Sequence, residues 1–188
     1  LSDVREAASP AQGQPIVLLR KGEAPMTTSA SAPAATLAPG DPAPDFALPR
    51  DGGGTVALAA LSGRAVVLYF YPKDDTSGCT KEAIGFSEAL QAFEDAGASV
   101  VGVSKDPVKK HDAFKEKHGL TVTLGADEDG AICAAYGVWV EKSMYGKTYM
   151  GIERATWLIG PDGRIAEIWR KVKVPGHVAA VLKAVQAL

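Results

Sequence analysis

Residues 65–86 read AVVLYFYPKDDTSGCTKEAIGF, and the fold turns on how that string divides. AVVLYFY (65–71) is a continuous apolar, β-rich run, the pattern of a strand covered on both faces. PKDDTSG carries the turn formers Pro, Asp, Ser and Gly. Beyond it Ala83, Phe86, Leu90 and Phe93 recur at helical spacing, which predicts a helix over 79–96 with one apolar face. Gly97 stops that helix, and ASVVGV is the next buried strand. A strand, a loop, a helix and a further strand form the repeating unit of an α/β sandwich.

The pattern extends in both directions. Ahead of the central run, DFALP, DGGGT and VALAAL read as a short strand, a glycine turn and a second short strand, an N-terminal β-hairpin. The triple glycine lacks the Gly-Lys-Ser/Thr of a phosphate loop. Behind it, Pro107 to His118 is an amphipathic helix ended by Gly119, and TVTLG is a strand. A short helix, AICAAY, follows with Asp129 as its cap, and KSMYGKTYMG is expected to be irregular. ATWLIG and RIAEIW then form a hairpin turned by Pro161-Asp162-Gly163. A last helix runs from Gly176, with Val178, Val181, Leu182 and Val185 inward. This order predicts a thioredoxin-like fold: a central mixed β-sheet flanked by helices.

Composition removes several function classes. The 188 residues carry 20 basic and 22 acidic side chains without a dense basic block, so no footprint for nucleic acid or an anionic membrane is present. No apolar run approaches the roughly 20 residues of a membrane span. Residues 1–44 are rich in Ala, Pro, Ser and Gly and read as a disordered or flexible leader, with the folded domain over 45–188. Within the leader, IVLL is too short for a secretory signal and the acidic residues argue against a transit peptide. Met26 is a candidate natural start, which would make residues 1–25 non-native. Two cysteines, Cys79 and Cys133, are too few for a disulfide scaffold, and a cytoplasmic location is expected.

Cys79 is placed for chemistry. Ligands and reactive groups in open α/β sheets gather at the carboxyl ends of strands. A thiol in the first turn of the following helix lies near N–H groups without intrahelical partners, and these favour a thiolate. A thiol of ordinary pKa, about 8.5, is only roughly 3% ionised at pH 7; at a pKa of about 6 the figure is roughly 90%. Neighbouring side chains oppose that change, since Lys73 and Lys81 face Asp74, Asp75 and Glu82. A cation from elsewhere is required, and Arg154, which opens the apolar strand ATWLIG, is the best placed. Thr76 has a hydroxyl to offer a helix N–H or the sulfur, and Pro72 sets the exit from the strand.

Other cysteine chemistries fit poorly. Thr80, Lys81 and Glu82 follow Cys79, so no Cys-x-x-Cys is present, and Gly85 stands where a cysteine phosphatase carries its arginine. A protease or acyltransferase needs a histidine base. His111 and His118 lie on a lysine-rich helix and are expected to be solvated; His177 is expected to cap the last helix. No Cys/His spacing of a metal site occurs.

The segment YFYPKDDTSGCTKEA (69–83) resembles the active-site segment of the peroxiredoxins, in particular the bacterioferritin comigratory protein or peroxiredoxin Q group. DEDGAICAAYGVW, KSMYGKTYMGIERATWLI and PDGRI also resemble that group, in its order, and the likeness covers residues 40–188. It implies a thioredoxin-dependent thiol peroxidase without metal, haem or flavin, reducing hydrogen peroxide and organic hydroperoxides. Cys79 matches the peroxidatic cysteine, Thr76 the residue that bonds thiolate and peroxide, and Pro72 the shield of the pocket. Arg154 matches the arginine that stabilises the thiolate and polarises the O–O bond.

One departure concerns recycling. Many members of the group have a resolving cysteine five residues after the peroxidatic one, and Ile84 stands there. Cys133, among apolar neighbours, reads better as a packed small side chain than as the resolving thiol. Expected partners are a peroxide and thioredoxin, glutaredoxin or a small thiol, with neither nucleic acid nor membrane, in a monomer or weak dimer. A peroxide sensor or redox-regulated binding module using the same cysteine is the alternative.

Overall fold

The computed structural model describes residues 36–188. The run 65–71 supplies the middle strand, β3 (Ala65–Phe70), buried at every position. β3 pairs in parallel with β4 (Ala98–Ser104), and β4 in parallel with β5 (Thr123–Ala126). On its other side β3 pairs antiparallel with β8 (Ala155–Ile159), which pairs antiparallel with β9 (Ile165–Trp169). The five-stranded sheet therefore runs β5–β4–β3–β8–β9.

Alternation along β3 divides the core into two layers, because successive side chains point to opposite faces. Val67, Tyr69 and Tyr71 enter one layer with residues of α1 (Ser77–Glu88), α2 (Leu90–Asp95), α3 (Val108–His118) and α5 (His177–Gln186). Val66, Leu68 and Phe70 enter the other, with α4 (Ala131–Ala135) and the antiparallel hairpin of β1 (Ala47–Pro49) and β2 (Thr55–Ala57). Both faces are thus covered, which is why β3 needs no polar residue. Gly52, Gly53 and Gly54 all take positive φ in the β1–β2 turn, so the triple glycine has a conformational purpose.

Three local expectations are corrected. The helix predicted over 79–96 starts earlier, at Ser77, and breaks at Ala89 into α1 and α2. The short helix α4 is capped mainly by Asp127, whose carboxylate accepts from the N–H groups of Ile132 (3.2 Å) and Cys133 (2.7 Å). Asp129 takes the single N–H of Ala131 at 2.9 Å. The stretch expected to be irregular is a hairpin of β6 (Trp139–Met144) and β7 (Lys147–Ile152). Tyr145 and Gly146 form its two-residue turn, both at positive φ, as a type I′ turn requires. Tyr-Gly is not the Asn-Gly or Asp-Gly by which such turns are recognised, so the signal was weak.

Ahead of the expected domain start, Gly40 donates to the Ile165 carbonyl at 2.7 Å and Ala43 to that of Gly163 at 3.0 Å. Residues 1–35 of the expected leader, with the candidate start Met26, lie outside the described residues. No helix among the described residues is long and apolar enough to cross a membrane.

Candidate active site

The chain leaves β3 through residues 71–76 and enters α1 with Thr76 as its N-cap residue. The first intrahelical bond runs from the Thr80 N–H to the Thr76 carbonyl at 2.8 Å. Cys79 therefore occupies the first turn, whose own N–H groups have no partner within the helix. It is 1% exposed and packs in the layer that holds Tyr69, Tyr71, Ala83 and Phe86.

Arg154 lies between β7 and β8 and reaches over this turn. Its Nη2 donates to Cys79 Sγ at 3.3 Å, and its Nη1 donates to Glu82 Oε2. Gly78 makes room for it: a Cβ there would meet Arg154 Nη2 at 3.1 Å. Sequence reading passed over both neighbours. Glu82 entered only as one of the adjacent negative charges, yet it is fully buried and fixes the guanidinium from below. The available signal was its place one helical turn after Cys79, on the same face.

The charges are mutually tuned. Burial pushes the Glu82 carboxyl up to about 7, against the pull of Arg154. Its second oxygen, Oε1, and the hydroxyl of Tyr69 have no hydrogen-bond partner among the described residues. Burial works against the charge of Arg154, but Glu82 and Cys79 outweigh it and hold the guanidinium above its ordinary value. The β6–β7 hairpin adds Lys142, whose ammonium donates to the Ile152 carbonyl two residues before Arg154. Its stem crosses Gly151, where a Cβ would lie 3.3 Å from Lys142 Cδ. Burial, with Arg154 nearby, lowers the Lys142 pKa.

Other expected residues fall differently. Pro72 is exposed at the strand exit, and the Thr76 hydroxyl donates to the Lys73 carbonyl at 3.1 Å, not to the sulfur or to a helix N–H. Cys133 is fully buried in the opposite layer, so the sheet stands between the two thiols, and both are unpaired. Burial first, then the Asp127 carboxylate, push its thiol well up. His111, expected to be solvated, is fully buried against Asp74, and His118 is bonded to Asp75. His177 is not the cap of α5; Gly176 is. His177 is buried, with Nε2 2.8 Å from the Thr156 hydroxyl, and burial lowers its pKa to about 4.

A buried cysteine at a helix N-terminus, held by a guanidinium above a thioredoxin-like sheet, defines the class of thiol-based peroxidases. Comparison with known proteins agrees. Residues 39–168 match the AhpC/TSA family, and the chain belongs to that family. It is 49% identical over 148 residues to peroxiredoxin Bcp of Xanthomonas campestris, covering 78% of this chain and 92% of that one. Against peroxiredoxin Bcp of Bacillus subtilis the identity is 46% over 151 residues, covering 80% and 96%.

Among solved structures, the Xanthomonas campestris bacterioferritin comigratory protein, studied for alkyl peroxide reduction, superposes with a TM-score of 0.72 at 48% identity. The match covers 76% of this chain and 90% of that one. A cysteine-to-serine variant of Xylella fastidiosa PrxQ gives a TM-score of 0.77 at 43% identity, covering 81% and 98%. The protein is a peroxiredoxin: an oxidoreductase that reduces peroxide at the expense of thiols.

Proposed function

We propose that Cys79 is the peroxidatic residue and that Arg154 is its catalytic partner. The observation that carries this is the forked guanidinium, with one nitrogen on Cys79 Sγ and the other on Glu82. The Cys79 thiolate attacks the terminal peroxide oxygen, an S–O bond forms and the O–O bond breaks. Sulfur is oxidised to the sulfenic acid, and the departing oxygen takes a proton and leaves as water or an alcohol. Arg154 is set to stabilise the charge growing on that oxygen, the effect that dominates such sites. Pro72 and Thr76 belong to the loop that leads from β3 into the helix of Cys79 and are assigned to the same site.

Recycling in this reading is of the one-cysteine kind. Ile84 stands where a nearby resolving thiol is found in many relatives, and Cys133 lies across the sheet in the other layer. An external thiol condenses with the sulfenic acid, releasing water and leaving a mixed disulfide that a second thiol reduces. Thioredoxin, glutaredoxin or a small thiol of a reducing cytoplasm fills this role, and the two unpaired cysteines accord with such a compartment. Substitution Cys79→Ser removes the thiolate with little change of shape. Turnover of hydrogen peroxide and cumene hydroperoxide is expected to fall to background while the circular dichroism spectrum is kept. Activity above a few per cent would assign the chemistry to Cys133.

A further inference from the structure

The loop that carries the site is held from one side by polar contacts from α3 and from Asp106, just ahead of that helix. Among residues 72–77, Asp74 alone is buried. Its Oδ1 accepts from the Tyr71 hydroxyl at 2.7 Å, and its Oδ2 lies 2.7 Å from His111 Nδ1. The other ring nitrogen of His111 faces the Gly125 carbonyl of β5 at 3.3 Å. The Asp74 N–H donates to Asp106 Oδ2 at 2.8 Å, and Lys110 holds Asp106 Oδ1 at 2.9 Å.

Asp75 extends the same attachment outward. It sits at φ +60°, a left-handed conformation that Asp tolerates and most residues avoid. Its carboxylate receives Lys117 Nζ at 2.6 Å and His118 Nε2 at 2.7 Å, and these bonds lower its pKa. His111 and His118 are seven residues apart and therefore share a face of α3 with Phe114. α3 is itself tied to the β1–β2 turn, where Lys115 holds Asp51 at 2.6 Å and Asp112 accepts from the Gly52 N–H at 2.7 Å. Between loop and helix lies an open cavity of about 420 Å³, reached by Lys73, Thr76, Phe114 and Lys117.

We propose that α3 is a clamp on the active-site loop: His111 through Asp74, and Lys117 with His118 through Asp75, are positioning residues for the peroxide reaction. The proposal rests on Cys79 as the reacting sulfur. The clamp keeps the loop where Cys79 meets Arg154, and by the same closure it keeps the 1%-exposed sulfur from external thiols. Loosening it slows the first half-reaction and speeds the second. General damage to the fold slows both, and that contrast identifies the role.

The experiment measures two rate constants separately: peroxide with the reduced enzyme, and dithiothreitol with the pre-formed sulfenic acid. For His111→Leu the first is expected to fall at least tenfold and the second to rise several-fold, since misplacement of a reacting group by about 1 Å is costly. His111→Asn, whose amide N–H replaces Nδ1 toward Asp74, is expected to restore most of the peroxide rate. Asp75→Asn, at an exposed position compatible with its φ, shifts both constants the same way by a smaller factor, and decides the matter if His111→Leu does not fold. A parallel fall of both constants, or no change in either, overturns the clamp. Amide exchange across residues 73–80 rises in His111→Leu whichever sulfur reacts, so failure of the clamp and failure of Cys79 as nucleophile are told apart.

Discussion

The two cysteines differ by one percentage point in exposure and occupy opposite electrostatic worlds. Cys79, 1% exposed, has a guanidinium nitrogen 3.3 Å from its sulfur at the start of a twelve-residue helix. Cys133, fully buried, sits in a five-residue helix whose cap is the Asp127 carboxylate, and its thiol is pushed well up. Burial in a low-dielectric layer disfavours a thiolate. In the proposed reading, what separates the reacting sulfur from the packed one is the sign of the charge bonded beside it, and the sheet keeps the two environments in different layers.

The strongest way to break the contrast is to remove the cation. Arg154→Leu leaves Cys79 buried beside Glu82 without a positive partner, which makes it resemble Cys133. The second-order rate constant with hydrogen peroxide is expected to fall by about a hundredfold or more, the scale set by loss of one aligned donor. Arg154→Lys should recover little, because one ammonium cannot match the forked geometry to sulfur and carboxylate at once. Stopped-flow measurement of the first turnover checks both. A constant within a factor of about three of wild type would remove Arg154 from the site.

Glu82 offers a sharper, pH-resolved test of the same pair. Its folded pKa of about 7 lies above the ordinary carboxyl value, so the folded protein binds a proton that the unfolded chain has released. The associated stability is fully present below about pH 4 and is lost as pH rises through 7. The shift from 4.5 to about 7 is worth on the order of 3 kcal/mol. Urea unfolding should show wild type losing stability between pH 5 and 8 relative to Glu82→Gln, in which the titrating proton is gone. Parallel pH profiles would mean that Glu82 stays ionised beside Arg154 throughout.

Much of this frame was readable from local pattern. The apolar run 65–71, the helical spacing after it and the Pro161-Asp162-Gly163 turn are strong short-range signals, and each marks an element of the sheet or its layers. The place of Cys79 followed from the same strand-to-helix junction, and the need for a distant cation from the local charge count. Glu82, Gly78 and the His111–Asp74 pair were missed for one reason: their roles appear only when elements distant in sequence meet. A glutamate on a helix, or a histidine among lysines, reads as solvent-facing until Arg154 or Asp74 is brought against it. The β6–β7 hairpin was lost to an uncommon turn dipeptide.

The smallest expected effect concerns the other thiol. No cysteine lies on the helical face beside Cys79, since Ile84 stands five residues on. A disulfide needs Cα atoms about 4.4–6.8 Å apart, whereas Cys79 and Cys133 belong to layers on opposite faces of a sheet. Forming it would require α4 or the start of α1 to leave its place, and α4 is held by two N–H bonds to Asp127. Cys133 is also protonated at neutral pH, with its pKa raised first by burial and then by that carboxylate, so it is a poor nucleophile. Cys133→Ser should therefore change steady-state turnover with an external thiol by less than about twofold. In its presence or absence, excess peroxide without thiol should carry Cys79 on to the sulfinic acid. Mass spectrometry after one equivalent of peroxide should find one oxidised sulfur and one free thiol. Loss of both thiols together, with a Cys79–Cys133 linked peptide in the digest, would make Cys133 the resolving residue and α4 a mobile element.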